Sequence, residues 1–125
     1  MLTRSAGGFT TCLVVHVDPA GHLTIANAGH LAPYLDGEEL ALENGLPLGI
    51  AAGPTYLEST FSLRPNPRLT LMTDGVVEAR SGSGELFGFD RARDISRGSA
   101  ESIAAAAEQF CQEDDITVLT LQPVK

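Results

Sequence analysis

The chain has 125 residues, the length of one ordinary domain, and 43% of them are hydrophobic, enough to build a core. A formal net charge of -8, from 8 Lys and Arg against 16 Asp and Glu, argues against a nucleic-acid backbone or an anionic membrane surface as partner. Cys12 and Cys111 belong to no C-x-x-C pair, so neither a zinc site nor a disulfide framework is signalled, and both are expected as buried apolar fillers in a reducing compartment.

Met1 to Gly8 is a polar, glycine-bearing lead-in. The apolar run Cys12 to Val15 is cut by His16 and is too short for a signal segment or a membrane span, so a cytoplasmic location is expected. Thr10 to Val17 reads as a strand that stops at the turn Asp18-Pro19-Ala20-Gly21, and His22 to Ala28 alternates behind it, which predicts a β-hairpin. A turn at Asn27-Ala28-Gly29-His30 leads to Ala32 to Leu35, and Asp36-Gly37 predicts a second hairpin with Glu39 to Leu42. Asn44 to Ile50 is apolar but punctuated by Gly and Pro, which predicts an ordered loop. Tyr56 to Leu63 reads as a strand paired, through Pro65-Asn66-Pro67, with the next strand at Leu69 to Met72. Ser81 to Gly84 is a turn, and Leu86 to Phe89 a hydrophobic plug. Arg91, Arg93 and Arg97 are expected on a solvated surface. The one strong helix has Ser99 as N-cap, Glu101 in the first turn and Ile103, Ala106, Ala107 and Phe110 on one face. Strands outnumber helices, and the class is α+β with mostly antiparallel pairing in a single domain.

Two stretches carry candidate chemistry. Leu69 to Met72 drives an apolar strand into Thr73-Asp74-Gly75, and Gly75 breaks the strand before a helical turn through Val76, Val77, Glu78 and Ala79. Asp74 therefore falls at a strand end, where binding groups commonly sit; its other reading is an N-cap for that turn. Near the C-terminus Glu113-Asp114-Asp115 directly precedes the alternating strand Ile116 to Leu121. If the two strands are antiparallel neighbours, Asp74 and Asp114 meet at one edge. Carboxylates gathered there repel unless a cation neutralises them, and oxygen ligation suits Mg²⁺ or Mn²⁺. The other reading of the cluster is an acidic loop facing water.

Five segments occur in a familiar order: Asn27-Ala28-Gly29-His30, Gly45 to Gly49, Thr73 to Ala79, Glu85-Leu86-Phe87-Gly88 and Asp114-Asp115-Ile116-Thr117. With them the chain resembles the metal-dependent serine/threonine phosphatases of the protein phosphatase 2C type, in their bacterial sporulation-protein-E and sigma-regulator branch. The resemblance implies a mostly antiparallel β-sandwich with a flanking helix and a Mg²⁺ or Mn²⁺ pair in a cleft. It also implies hydrolysis of phosphoserine or phosphothreonine on a regulatory protein resembling an anti-sigma-factor antagonist. Position by position, it implies Asp74 and Asp114 as metal ligands, with Asp115 next, and Glu78, His30 and Gly75 as accessory positions. Glu78 is also read as an exposed helical residue, and His30 as a turn hydrogen-bonder.

Relatives carry a further acidic residue and an Asp before a glycine-rich segment, which together bridge the metals, and no residue before Thr10 supplies them. The expectation is the C-terminal portion of such a domain, truncated or degenerate, with weakened metal binding and little turnover alone. The alternative is a catalytically silent phosphatase-like module that binds a regulatory protein. With sheet faces left uncovered, a homodimer through the strand Thr10 to Val17 is expected. Other enzyme classes fit poorly: Met72 stands where a haloacid-dehalogenase nucleophile is needed, Arg80 breaks G-x-S-x-G, and neither H-E-x-x-H nor a P-loop occurs.

Overall fold

The computed structural model describes residues 9–49, 55–63, 67–110 and 115–123. Among the described residues, eight strands and three helices follow one another as β1 (Cys12–Val17), β2 (His22–Ala28), β3 (Tyr34–Leu35), β4 (Glu38–Glu39), β5 (Asn44–Gly45), β6 (Glu58–Ser62), β7 (Leu69–Met72), α1 (Asp74–Val77), α2 (Gly88–Ile95), α3 (Ala100–Gln109) and β8 (Val118–Leu121). They form two mostly antiparallel sheets and few helices, an α+β arrangement. The chain divides into two compact units, Met1–His30 with Ala41–Arg64 and Leu31–Leu40 with Pro65–Lys125.

In the first unit β2 is the central strand. It pairs with β1 on one side, Val15 opposite Ile25, and on the other with β6, Leu23 opposite Phe61, and with β5 in parallel at Asn27 and Ala28. The β1–β2 hairpin follows from the Asp18 turn, whose Oδ1 accepts from the main-chain N–H groups of Ala20 and His22, both at 2.9 Å. Alternation along β2 buries Leu23, Ile25 and Asn27 on one face. Burying Asn27 requires partners for its amide. Nδ2 donates to the His30 carbonyl at 2.9 Å, and Oδ1 accepts from the His30 N–H at 2.8 Å. Gly29 sits inside this clamp at φ 77, and a Cβ there would lie 2.6 Å from Pro47 Cγ. The Asn27-Ala28-Gly29-His30 and Gly45 to Gly49 segments thus fit against each other where the Gly29 backbone meets the Pro47 ring. The stretch expected as a loop supplies β5, and Leu48 exchanges main-chain hydrogen bonds with Thr10.

In the second unit the sheet order is β4-β3-β7-β8. The β3–β4 hairpin turns on Asp36 (φ 54) and Gly37 (φ 87), both in the left-handed region that a two-residue hairpin turn demands. Strand β7 lies inside the sheet with Leu69, Thr70 and Met72 buried, and the Thr70 hydroxyl donates to the Ser96 carbonyl at 2.8 Å. The core gathers Tyr34, Met72, Val76, Val77, Ala79, Phe87, Ala92, Ile103 and Ala107, with Ala106 and Phe110 packed against it. The Ser99 cap is present, its hydroxyl accepting from the Ser102 N–H at 3.1 Å, and the expected face of α3 is the one buried.

Four expectations are corrected. Strands β6 and β7 do not pair: β6 joins β2, while β7 has β3 on one edge and β8 on the other, so neither edge of β7 is left for β6. A second long helix, α2, occupies part of the stretch expected as plug and solvated surface. Arg91 is more than surface charge. Its guanidinium donates to the Leu86 and Phe87 carbonyls at 2.8 and 3.2 Å and to Glu85 Oε2 at 3.0 Å, and it stacks 4.6 Å from the centre of the Phe110 ring. Finally, Cys12 is a free, partly exposed thiol rather than a buried filler, while Cys111 lies outside the described residues.

Candidate metal centre

Buried strand β7 ends at Met72, and the chain leaves the sheet through Thr73 into α1. Thr73 is the N-cap residue and makes no side-chain cap hydrogen bond. Asp74 is therefore the first residue of the helix, not its cap, and its carboxylate is exposed while Gly75, Val76 and Val77 behind it are buried. The apolar side chains anchor the turn and leave the carboxylate at the rim of the sheet.

The pairing of β7 with β8 is antiparallel, Leu69 opposite Leu121 and Met72 opposite Val118, so the start of β8 lies at the end of β7. One step beyond the last pair, Thr73 meets Thr117. The Thr73 N–H donates to the Thr117 carbonyl at 3.0 Å, and the Thr117 N–H donates to Thr73 Oγ1 at 3.0 Å. Thr73 Oγ1 also reaches the same carbonyl at 3.4 Å. Two residues further along each segment, Gly75 lies against the main-chain carbonyl of Asp115, in a space that a Cβ on Gly75 would fill. The Asp74-Gly75 turn and Asp115 thus share one edge.

The other candidates are placed differently. Asp114 lies outside the described residues. Glu78 caps the C-terminal end of α1 and is exposed, its main-chain N–H donating to the Asp74 carbonyl at 2.9 Å. His30 belongs to the first unit, where its main chain closes the Asn27 clamp. Thr73 and Thr117 escaped the sequence reading. No motif marks them, since Thr117 falls inside the strand expected from Ile116 to Leu121 and a single threonine after a strand is ordinary.

The donors at this edge are carboxylate and carbonyl oxygens, the type that hard divalent cations take, and the glycine at position 75 is what lets the two chain segments approach so closely. Among the described residues no three His, Cys, Asp or Glu side chains gather around one point. The oxygen donors at this edge are of the kind that Mg²⁺ or Mn²⁺ takes.

This fold, with its acidic strand-end edge, is that of a phosphatase domain of the protein phosphatase 2C type. The chain belongs to the SpoIIE family: the family model for stage II sporulation protein E matches residues 1–123. Among solved structures it is similar to the SiaA-PP2C domain of Pseudomonas aeruginosa, with 28% identity and a TM-score of 0.65 over 84% of this chain and 48% of that one. It is also similar to the RsbU and RsbW domains of a Mycobacterium tuberculosis protein, with 23% identity and a TM-score of 0.61 over 88% of this chain and 35% of that one. A third similar structure is the phosphatase domain of the cell-fate determinant SpoIIE from Bacillus subtilis, presoaked in Mn, with 18% identity and a TM-score of 0.61 over 90% of this chain and 56% of that one. The chain thus spans 48%, 35% and 56% of these three neighbours. Comparison with curated proteins finds no match. No helix among the described residues is long and apolar enough to cross a membrane.

Proposed function

We propose that this chain contributes the Asp74 and Asp115 edge of a Mg²⁺- or Mn²⁺-dependent phosphatase that hydrolyses phosphoserine or phosphothreonine on a regulatory protein in the cytoplasm. The observation that carries this is the meeting of two acidic strand ends, with the Asp115 carbonyl against Gly75 and the Asp74 carboxylate exposed beside it. Family membership makes phosphatase chemistry the natural use of such an edge. Asp114 is proposed as a further ligand, with Glu78 and His30 as accessory groups. A protein substrate is supported by the similar structure in which an RsbU domain and an RsbW domain belong to one protein.

When bound, the cations supply Lewis-acid activation of a water and of the phosphoryl group. The residues of this chain hold charge and position. Asp74 presents a carboxylate on a short, buried helical turn, and the β7–β8 ladder fixes the segment that carries Asp115. Ligands of such a centre act as a unit, so part of a set supports little turnover. The purified chain is therefore expected to hydrolyse p-nitrophenyl phosphate very slowly in Mn²⁺, with that residue of activity lost in Asp74→Asn. Robust turnover abolished by Asp74→Asn would show that this chain's residues suffice. Robust turnover indifferent to Asp74→Asn would overturn the assignment.

A further inference from the structure

Beyond Met72 and Val118 the β7–β8 ladder does not simply end. Its next step is closed by a side chain. Thr73 Oγ1 accepts the Thr117 N–H at 3.0 Å and lies 3.4 Å from the Thr117 carbonyl, to which the Thr73 N–H donates at 3.0 Å. One hydroxyl thereby engages both main-chain groups of the facing residue. It does so immediately before Asp74 on one segment and two residues after Asp115 on the other. Thr73 is an N-cap residue whose hydroxyl is not spent on its own helix, although threonine at that position commonly caps. The hydroxyl faces across to β8 instead.

We propose that Thr73 is a positioning residue for the carboxylate edge: its hydroxyl locks the end of β7 to the start of β8 and so keeps the segments that carry Asp74 and Asp115 side by side for a divalent cation. The proposal rests on the metal-binding reading of that edge. Without the hydroxyl the Thr117 N–H loses its acceptor, and the segment leading back to Asp115 is tied to Thr73 by the remaining main-chain bond alone. Groups that orient ligands from behind commonly change metal affinity when removed, and position 73 stands directly behind a proposed ligand.

The test is made on the full chain with three variants: Thr73→Val, which keeps the shape and removes the hydroxyl; Thr73→Ser, which keeps the hydroxyl; and Thr73→Ala, in case the valine variant does not fold. Two quantities are read, hydrogen exchange at the Thr117 amide and Mn²⁺ affinity by calorimetry. Thr73→Val or Thr73→Ala should expose the Thr117 amide to exchange and weaken Mn²⁺ binding about tenfold, the lower end for groups that orient ligands, while Thr73→Ser restores both. Faster exchange with unchanged Mn²⁺ affinity would leave Thr73 a structural residue only and overturn the proposal. An unmutated chain that binds no Mn²⁺ would overturn the metal reading itself, whatever the amide does.

Discussion

The carbonyl of Asp115 lies so close to Gly75 that no side chain fits between them. The contact is backbone against backbone, so neither partner can swing aside as a flexible side chain would. Gly75→Ala should therefore push the start of β8 away from α1 and cost about 1–3 kcal/mol, the usual range for overpacking a tight site. Urea unfolding checks this, and an unchanged midpoint would show that the approach is not demanded by the fold.

Tyr34 gives a pH dependence with a definite sign. Burial first, and the nearby Glu39 carboxylate second, push its phenol above the ordinary 10.0. The folded state thus holds that proton more tightly than the unfolded state does. Its contribution to stability is fully present below the unfolded pKa and is lost as pH rises through the folded pKa. Unfolding midpoints measured above pH 10 should fall more steeply for the unmutated chain than for Tyr34→Phe, and parallel curves would contradict this.

Strand β1 offers a surface for self-association. Among the described residues its strand partner is β2 alone, and Val14 and Val17 are 58% and 44% exposed. An edge of this kind invites pairing with a second copy. Light scattering in dilute solution should give twice the 13.1 kDa of one chain, and a mass near 13.1 kDa would contradict the dimer.

Much of the fold was legible because local chemistry and global structure agree. The Asp18 turn, the Asp36-Gly37 hairpin and the Ser99 cap each place a residue where its own backbone preference already puts it. Helix α2 was not legible, because four of its eight residues are charged, it opens on Gly88, and only Ala92 is buried. It is held instead from outside its own sequence pattern, by Arg91 reaching Glu85 and Phe110 and by the Thr70 hydroxyl on the Ser96 carbonyl. The β6–β7 pairing failed for a similar reason: neighbours in sequence often pair, but β7 is an interior strand whose partners come from far along the chain. At the candidate site the strand ends were legible from their carboxylates. The Thr73 to Thr117 link was not, since a threonine beyond a strand carries no motif.

The most direct measurement is a calorimetric titration of the chain with Mn²⁺, repeated on Asp74→Asn. If Asp74 and the start of β8 form part of a cation site, the unmutated chain binds Mn²⁺ in the micromolar range and Asp74→Asn abolishes or sharply weakens that binding. No heat from the unmutated chain, or equal binding by both proteins, would contradict the site and favour a silent phosphatase-like module that binds a regulatory protein.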